Sequence, residues 1–346
     1  MTAGTNFKVG IIGTGGIAHA HAQAFMAAGV DIVGAAEILE DRRRAFADRY
    51  NIPYHTSDYR ELLRRENIDA VALCLPNALH STVAVAAMEA GKHVLTEKPM
   101  AINAAEAERM VSAQKETQKT LLVGLQRRYA PVTTVAKQYA EEFGRIYFGK
   151  CGYLRRSGIP GWGSWFTRRE ESGGGPCADI GVHVLDQCLY LMGYPKPVSV
   201  TASTYAEFGP EGRRKGGWGY RDPSGYFDVE DLAAAFISFE NGASVIMEAS
   251  WAMNRPDKRW VEVYGTEGGM EVGDGLQVYS EKFGSPVDAS PQVPQQEARL
   301  VMVEHFLACC RTGTTPLTSP EQGLTLSRIF DAVYESGADN GRQVIL

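Results

Sequence analysis

No stretch of this chain approaches the roughly 20 consecutive apolar residues that a membrane-crossing helix needs. None falls into a low-complexity tract or repeats at a fixed period. The opening residues, MTAGTNFKVGIIGTGG, lack the basic region, apolar core and cleavage site of an export signal, so a cytoplasmic location is expected. Cysteine is sparse and has no Cys-x-x-Cys pair: the six are Cys74, Cys151, Cys177, Cys188, Cys309 and Cys310. They read as free buried thiols in a reducing compartment, and not as a zinc ribbon or a disulfide framework. Positive charge is also short, with 35 Lys and Arg against 41 Asp and Glu, a net −6. Nucleic acid and anionic membrane are therefore not expected as partners.

What is present is an ordinary globular composition. In 346 residues, 44% are hydrophobic and 22% charged, which suits two domains or one large one. The first 125 or so residues alternate in kind. FKVGII, DIVGAA, IDAVALCLP, KHVLTEK and TLLVGLQ are short apolar runs, and helix-favouring segments lie between them. Strands that are apolar throughout and alternate with helices predict a parallel sheet covered on both faces. From about residue 145 the pattern changes to strand after strand: RIYFGKCGYLRR, VSVTASTY, VEDLAAAFISFE, ASVIMEASW and RWVEVYG. The Asn-Gly turn in ENGA joins two of them. Helices are expected at 295–311 and 320–338. The predicted architecture is an α/β dinucleotide-binding domain over 1–126, followed by an α+β domain over 127–346 with a large, mainly antiparallel open sheet. Residues 206–228, rich in glycine, arginine and aromatics, read as one long loop.

Gly13, Gly15 and Ala18 form a GxGxxA pattern between the first strand and the first helix. Glycines there let the backbone turn tightly and approach a pyrophosphate at the helix N-terminus. About twenty residues on, Glu37 ends the second strand, where a carboxylate accepts from the adenosine ribose hydroxyls and repels a 2′-phosphate. NAD is the expected cofactor and NADP the less favoured one, since Ile38 and Leu39 offer a phosphate no cation; Arg42 and Arg43 argue the other way. TEKPM closes the fourth strand and puts Lys98 at the sheet edge where ligands bind, with its backbone restricted by Pro99. Taken alone, Lys98 is a solvated surface lysine. CLPNALH ends the third strand at the same edge; Asn77 and His80 line the nicotinamide ribose, or Asn77 caps the next helix. The cofactor-lining set is Gly13, Gly15, Gly16, Ile17, Glu37, Pro76, Asn77, His80, Glu97 and Gln126.

SGGGPCADIGVHVLD, residues 172–186, carries the other polar cluster. A helix is expected from Pro176 to Gly193, with Asp179 and His183 on one face and Asp186 a turn later. The glycines before it leave room for another backbone or a ligand. A metal site using Cys177, Asp179 and His183 is set aside, because helical spacing turns Cys177 away; no metal is expected. A core histidine and an acid–base pair both remain open.

GTGGIA, TEKP and GGGPCADIGVHVLD, in this order and at these separations, resemble the glucose–fructose oxidoreductase/inositol dehydrogenase/rhizopine catabolism family. The resemblance runs essentially the full length, through GTEGGM and the C-terminal TSPEQGLTLSRIFDAVYESGADNGRQVIL. Two departures are Ala18 in place of a third glycine and the long 206–228 loop. The resemblance implies a dinucleotide-binding domain plus an open-sheet domain that forms homodimers or homotetramers. It places the catalytic residues on Lys98, Asp179 and His183.

The implied reaction is reversible oxidation of a secondary hydroxyl on a sugar or cyclitol. His183 is assigned as the base, Lys98 as the donor that stabilises the developing alkoxide, and Asp179 as the group that orients a neighbouring hydroxyl. Lys98 and His183 are interchangeable at this stage, because a lysine with a depressed pKa also serves as a base. Trp162 and Trp165, with Phe166, either stack on a sugar face or belong to the core. Arg127, Tyr153, Arg155 and Arg156 are candidates for the hydroxyl rim, and Trp218 and Tyr220 for closing over the pocket. The alternative is an enzyme that retains NAD and uses transient oxidation for glycoside cleavage or epimerisation, with no net NADH. A non-catalytic dinucleotide sensor would not need the Lys98, Asp179 and His183 set.

Overall fold

A computed structural model describes residues 7–346, which gather into two compact units. The first comprises the chain up to Ala101, Ala105–Gln126 and Glu297–Leu324. Its strands are β1 (Lys8–Ile12), β2 (Asp31–Ala36), β3 (His55–Thr56), β4 (Ala70–Leu73), β5 (His93–Thr96) and β6 (Leu121–Val123). All pair in parallel, in the order β3-β2-β1-β4-β5-β6. The connecting helices are α1 (Gly16–Ala27), α2 (Glu40–Tyr50), α3 (Tyr59–Leu63), α4 (His80–Glu89) and α5 (Ala104–Thr117). Helices on both faces explain why β4 and β6 are buried at every residue and read as uninterrupted apolar runs.

The second unit comprises Ile102–Ala104, Arg127–Gln296 and Thr325–Leu346. After α6 (Pro131–Ala140) come β7 (Ile146–Leu154), α7 (Arg169–Ser172) and α8 (Val182–Leu191). Next are β8 (Pro197–Tyr205), β9 (Leu232–Phe239), β10 (Ser244–Ser250), β11 (Lys258–Gly265), β12 (Gly268–Val272), β13 (Leu276–Lys282) and β14 (Ser285–Ala289). The chain ends in α9 (Ala298–Thr312), α10 (Pro320–Ala338) and β15 (Val344–Ile345). The nine strands run β14-β13-β12-β11-β7-β10-β9-β8-β15. Only β7 and β10 pair in parallel. One face packs on α8: a Cβ at Gly149 of β7 would meet Cys188 Sγ at 2.7 Å. At ENGA, Gly242 takes φ +79° and its N–H bonds Phe239 O, which closes the β9–β10 hairpin.

Three expectations change. All of 127–346 is expected in the second domain, but residues 297–324 pack in the first, with α9 lying against α1. The helix expected from Pro176 begins as a π-helical turn, Cys177–Gly181, before α8. The strands β3, β12, β13, β14 and β15 were not read as such: β3 and β15 are two residues long, and β14 is almost wholly exposed. β3, β14 and β15 are too short or too exposed to impose a hydrophobic period, whereas β12 and β13 bury Met270, Val272, Leu276 and Val278 among glycines and polar residues.

Candidate functional site

In the first unit the strand order reverses at β1, where Ile12 sits beside Leu73 of β4. Ligands of such sheets bind in the crevice outside these strand ends. Gly13 turns there with φ +86°, and a Cβ on it would stand 2.3 Å from Cys74 O. Glycine is therefore required by the turn itself. Gly15 and Gly16 are the reverse case: a Cβ on either would meet nothing within 4 Å. Gly15 caps α1 without a side-chain bond; Ala18 N already meets Gly15 O at 3.0 Å, and the Gly16 and Ile17 N–H groups keep their capacity for an anion.

Glu37 frames the same crevice. Its Oε2 accepts from Thr14 N (3.0 Å) and Thr14 Oγ1 (3.2 Å), and its Oε1 from Leu39 N (3.0 Å). The carboxylate is thereby fixed to the loops after β1 and β2. Arg43 turns its guanidinium onto Glu37 O at 2.8 Å. Pro76 and the buried Asn77 lie in the short turn after β4. Open space at the turn, uncapped N–H groups and a carboxylate held at the second strand together fit a dinucleotide.

His80 does not line that space. It is 0% exposed, with Nδ1 facing Pro99 O at 2.9 Å and Nε2 facing Leu75 O at 3.0 Å. Burial lowers its pKa, ahead of the opposing effect of the two carbonyls. The ring ties the turn after β4 to the cis Lys98–Pro99 peptide. Glu97, next to the half-buried Lys98, is buried too. Its Oε1 receives His21 Nε2 from α1 (2.8 Å) and Arg299 Nη1 from the start of α9 (3.1 Å). Burial alone would raise its pKa, but the His21 hydrogen bond and charge, then Arg299 and Lys98, outweigh it. The carboxyl stays well below the usual range. Sequence spacing gave no sign of His21 or Arg299, whose partner is 76 and 202 residues away.

In the second unit, the three glycines of residues 173–175 are packed against protein and do not leave space for a ligand. A Cβ would meet Ile102 O at 2.6 Å from Gly173, Tyr334 Oη at 1.8 Å from Gly174, and Glu230 O at 2.0 Å from Gly175. Glu230, itself buried, accepts from Gly175 N (2.9 Å), Cys177 N (3.1 Å) and Tyr334 Oη (3.2 Å). These bonds hold the entry to the π-helical turn. Asp179 is 9% exposed, and its Oδ2 accepts from Trp251 Nε1 at 2.9 Å. His183, half-buried, follows one residue into α8. Cys177 is fully buried, and burial, then Glu230, pushes its thiol far up. Asp186 is a structural anchor: with the buried Arg128 it forms an ion pair, Nε to Oδ2 at 2.9 Å, and Tyr194 adds a hydrogen bond at 3.2 Å.

Arg127, Tyr153 and Arg155 are brought together. Arg155 Nη2 donates to Tyr153 Oη at 3.3 Å, and the Arg127 guanidinium lies 5.8 Å from the Tyr153 ring centre. Arg156 is exposed; its N–H bonds Asp257. Trp162 is taken up by packing: its Nε1 donates to Gly209 O at 2.7 Å, and its ring borders the cluster of Ile159, Ile180, Val229, Trp251 and Ala252. It thereby fastens the 206–228 loop, which also bonds Asp231 through Phe208 N and Gly209 N. Trp165 stacks on Phe166 at 3.8 Å, and Phe166 meets the edge of Trp218 at 5.1 Å. Tyr220 is exposed. Gln126 and Lys98 belong to the first unit, Asp179 and His183 to the second. Among the described residues no group of three or more His, Cys, Asp or Glu is gathered as for a metal, and no helix is long and apolar enough to cross a membrane.

Two family descriptions match the chain: "Oxidoreductase family, NAD-binding Rossmann fold" over residues 7–125, and "GFO/IDH/MocA C-terminal domain" over residues 136–271. D-glucoside 3-dehydrogenase of Escherichia coli K12 is 30% identical over 98% of this chain and 97% of that protein. Levoglucosan dehydrogenase of Pseudarthrobacter phenanthrenivorans is 30% identical over 96% of each. A solved structure of levoglucosan dehydrogenase in complex with NADH and levoglucosan superposes with TM-score 0.87 at 27% identity, covering 99% of both chains.

Proposed function

The chain belongs to the GFO/IDH/MocA family of oxidoreductases with an NAD-binding Rossmann fold, and from that we propose an NAD-dependent dehydrogenase that oxidises a secondary hydroxyl of a sugar or cyclitol. The observation that carries it is the crevice at β1 and β4, with open space at Gly15 and Gly16 and the Glu37 carboxylate held across it. Gly13, Gly15, Gly16 and Ile17 hold the pyrophosphate, and Glu37 receives the adenosine ribose hydroxyls. A fixed anion there disfavours the 2′-phosphate of NADP, and Arg43 is already engaged with Glu37 O. Pro76, Asn77, Glu97 and Gln126 line the remainder. The similar proteins named for D-glucoside and levoglucosan support a sugar as substrate.

The nicotinamide, when bound, supplies the acceptor for the substrate's hydride. His183 takes the hydroxyl proton, Lys98 donates to the reacting oxygen, and Asp179, with one oxygen fixed by Trp251, orients a neighbouring hydroxyl. Lys98→Ala and His183→Ala test this. Each is expected to keep NAD affinity while losing turnover by about 10²–10⁴-fold. Full activity in either variant sinks the assignment. Net NADH must also accumulate; substrate conversion without it favours an enzyme that recycles its cofactor.

A homo-oligomer formed through the large sheet is part of the same reading. On the face away from α8, Phe236 and Ile246 are cross-strand partners, 45% and 38% exposed. An apolar pair at the centre of a sheet face suits a second copy of the chain.

A further inference from the structure

β7 and β11 pair antiparallel with Arg259 directly opposite Tyr153. Arg155 follows Tyr153 by two residues and stays on the same side of the chain. Its guanidinium lies 5.0 Å from the Tyr153 ring centre, and that of Arg127 lies 5.8 Å from it. Three half-buried arginines thus converge on one phenol. Among the described residues none of the three has a carboxylate within 4.0 Å. Asp257, just before β11, bonds Arg156 N instead. Two polar atoms of the group, Arg127 Nε and Arg155 Nη1, are buried with no hydrogen-bond partner.

This arrangement is costly as it stands. Guanidinium charge is partly withdrawn from water and crowded against like charge without a counter-ion. Overall composition does not account for it, since the chain has an excess of acids. The titration of the neighbours agrees. Burial would raise the Tyr153 phenol, but the Arg155 hydrogen bond and the charges of Arg155, Arg127 and Arg259 pull it down. Arg127 is itself drawn down to about 10 by burial and then by Arg259. Tyr153 packs on the same small core as Trp251, whose indole holds Asp179. The positive cluster and Asp179 therefore share one support.

We propose that Arg127, Arg155 and Arg259 seat an anionic group of the substrate, so that the preferred substrate class is an acidic sugar carrying a carboxylate or a phosphate. Guanidinium forks pair with either group through two parallel hydrogen bonds. Trp218 borders Arg155 at 5.9 Å and brings the 206–228 loop to the edge of the seat.

The inference rests on the sugar dehydrogenase reading, and its test separates the two. Matched pairs are compared by NADH production and by calorimetric binding to the wild-type protein: methyl glucoside with methyl glucuronide, and glucose with glucose 6-phosphate. At least one acid is expected to exceed its neutral counterpart in kcat/KM by about 10-fold or more, the worth of one charge-assisted contact. Preference in the first pair identifies a carboxylate, and in the second a phosphate. Either preference is expected to fall with added KCl and to shrink about 10-fold in Arg259→Gln and in Arg155→Met, two variants that guard against one failing to fold. Equal or better kcat/KM on both neutral sugars overturns the seat and spares the dehydrogenase. Binding of an acid with no NADH from any sugar spares the seat and overturns the dehydrogenase. Failure of both acids to bind at millimolar concentration also overturns the seat.

Discussion

Glu97 shows how much one side chain beside a motif can depend on distant partners. Held by His21 and Arg299, it keeps its proton less readily in the folded chain than in the unfolded one. As pH falls, the unfolded chain takes up that proton first. The stabilisation from Glu97 is therefore complete above its unfolded value of about 4.3 and declines as pH drops from there toward the lower folded value. Glu97→Gln is expected to cost about 3–5 kcal/mol at pH 7, as for a broken buried pair. Urea unfolding at pH 7, 4.5 and 3.5 should show the gap to wild type narrowing toward acid. A gap independent of pH would refute the depressed carboxyl. At this scale the residues of the dinucleotide turn were legible, because glycine spacing and an acid at a strand end are local features. His80 was misjudged, because its place at the ligand edge said nothing about the two carbonyls that enclose it.

Among the elements, the segment from Gly173 to Leu191 carries the main lesson. Three glycines in a row announced that space is needed, and the structure fills it with Ile102, Tyr334 and Glu230. Tyr334, which fills the space at Gly174 from near the far end of the chain, could not have been named from the local string. The π-helical turn was equally hidden, since Glu230, which holds Gly175 N and Cys177 N at its entry, lies 55 and 53 residues away from them. Such turns are frequent at functional sites. Gly174→Ala, with its Cβ driven into Tyr334 Oη, is expected to destabilise the protein by about 1–3 kcal/mol through overpacking. Thermal unfolding measures it; an unchanged midpoint would mean that the glycine run serves some other purpose. The 206–228 loop was correctly placed as irregular, but its many bonds to residues 159–168 show it built onto that segment.

For the whole molecule, the alternation of elements announced a parallel sheet and then an antiparallel one, and the observed orders agree. The return of α9 to the first unit was not legible. Its sequence has no strongly one-sided pattern, and nothing local names Glu97 as the partner of Arg299, 202 residues away. The exposed pair Phe236 and Ile246 leads to the prediction at this scale. Sedimentation equilibrium should give a multiple of the chain mass, and Phe236→Glu with Ile246→Glu should reduce it to one chain with the fold retained by circular dichroism. A wild-type monomer at micromolar concentration would remove this face as an interface.

By itself the sequence determined what short-range rules govern: strand and helix alternation, the glycine turn at β1, the acid at the end of β2, and the identity of the polar residues in TEKP and DIGVH. Periodicity and backbone freedom are properties of neighbours along the chain, so they can be read there. The tertiary structure alone decided what each polar group faces. It put carbonyls around His80, His21 and Arg299 on Glu97, Trp251 on Asp179, Arg128 on Asp186, and three arginines around Tyr153. Burial and pairing set the energy of a charge, and both are fixed by segments far apart in sequence.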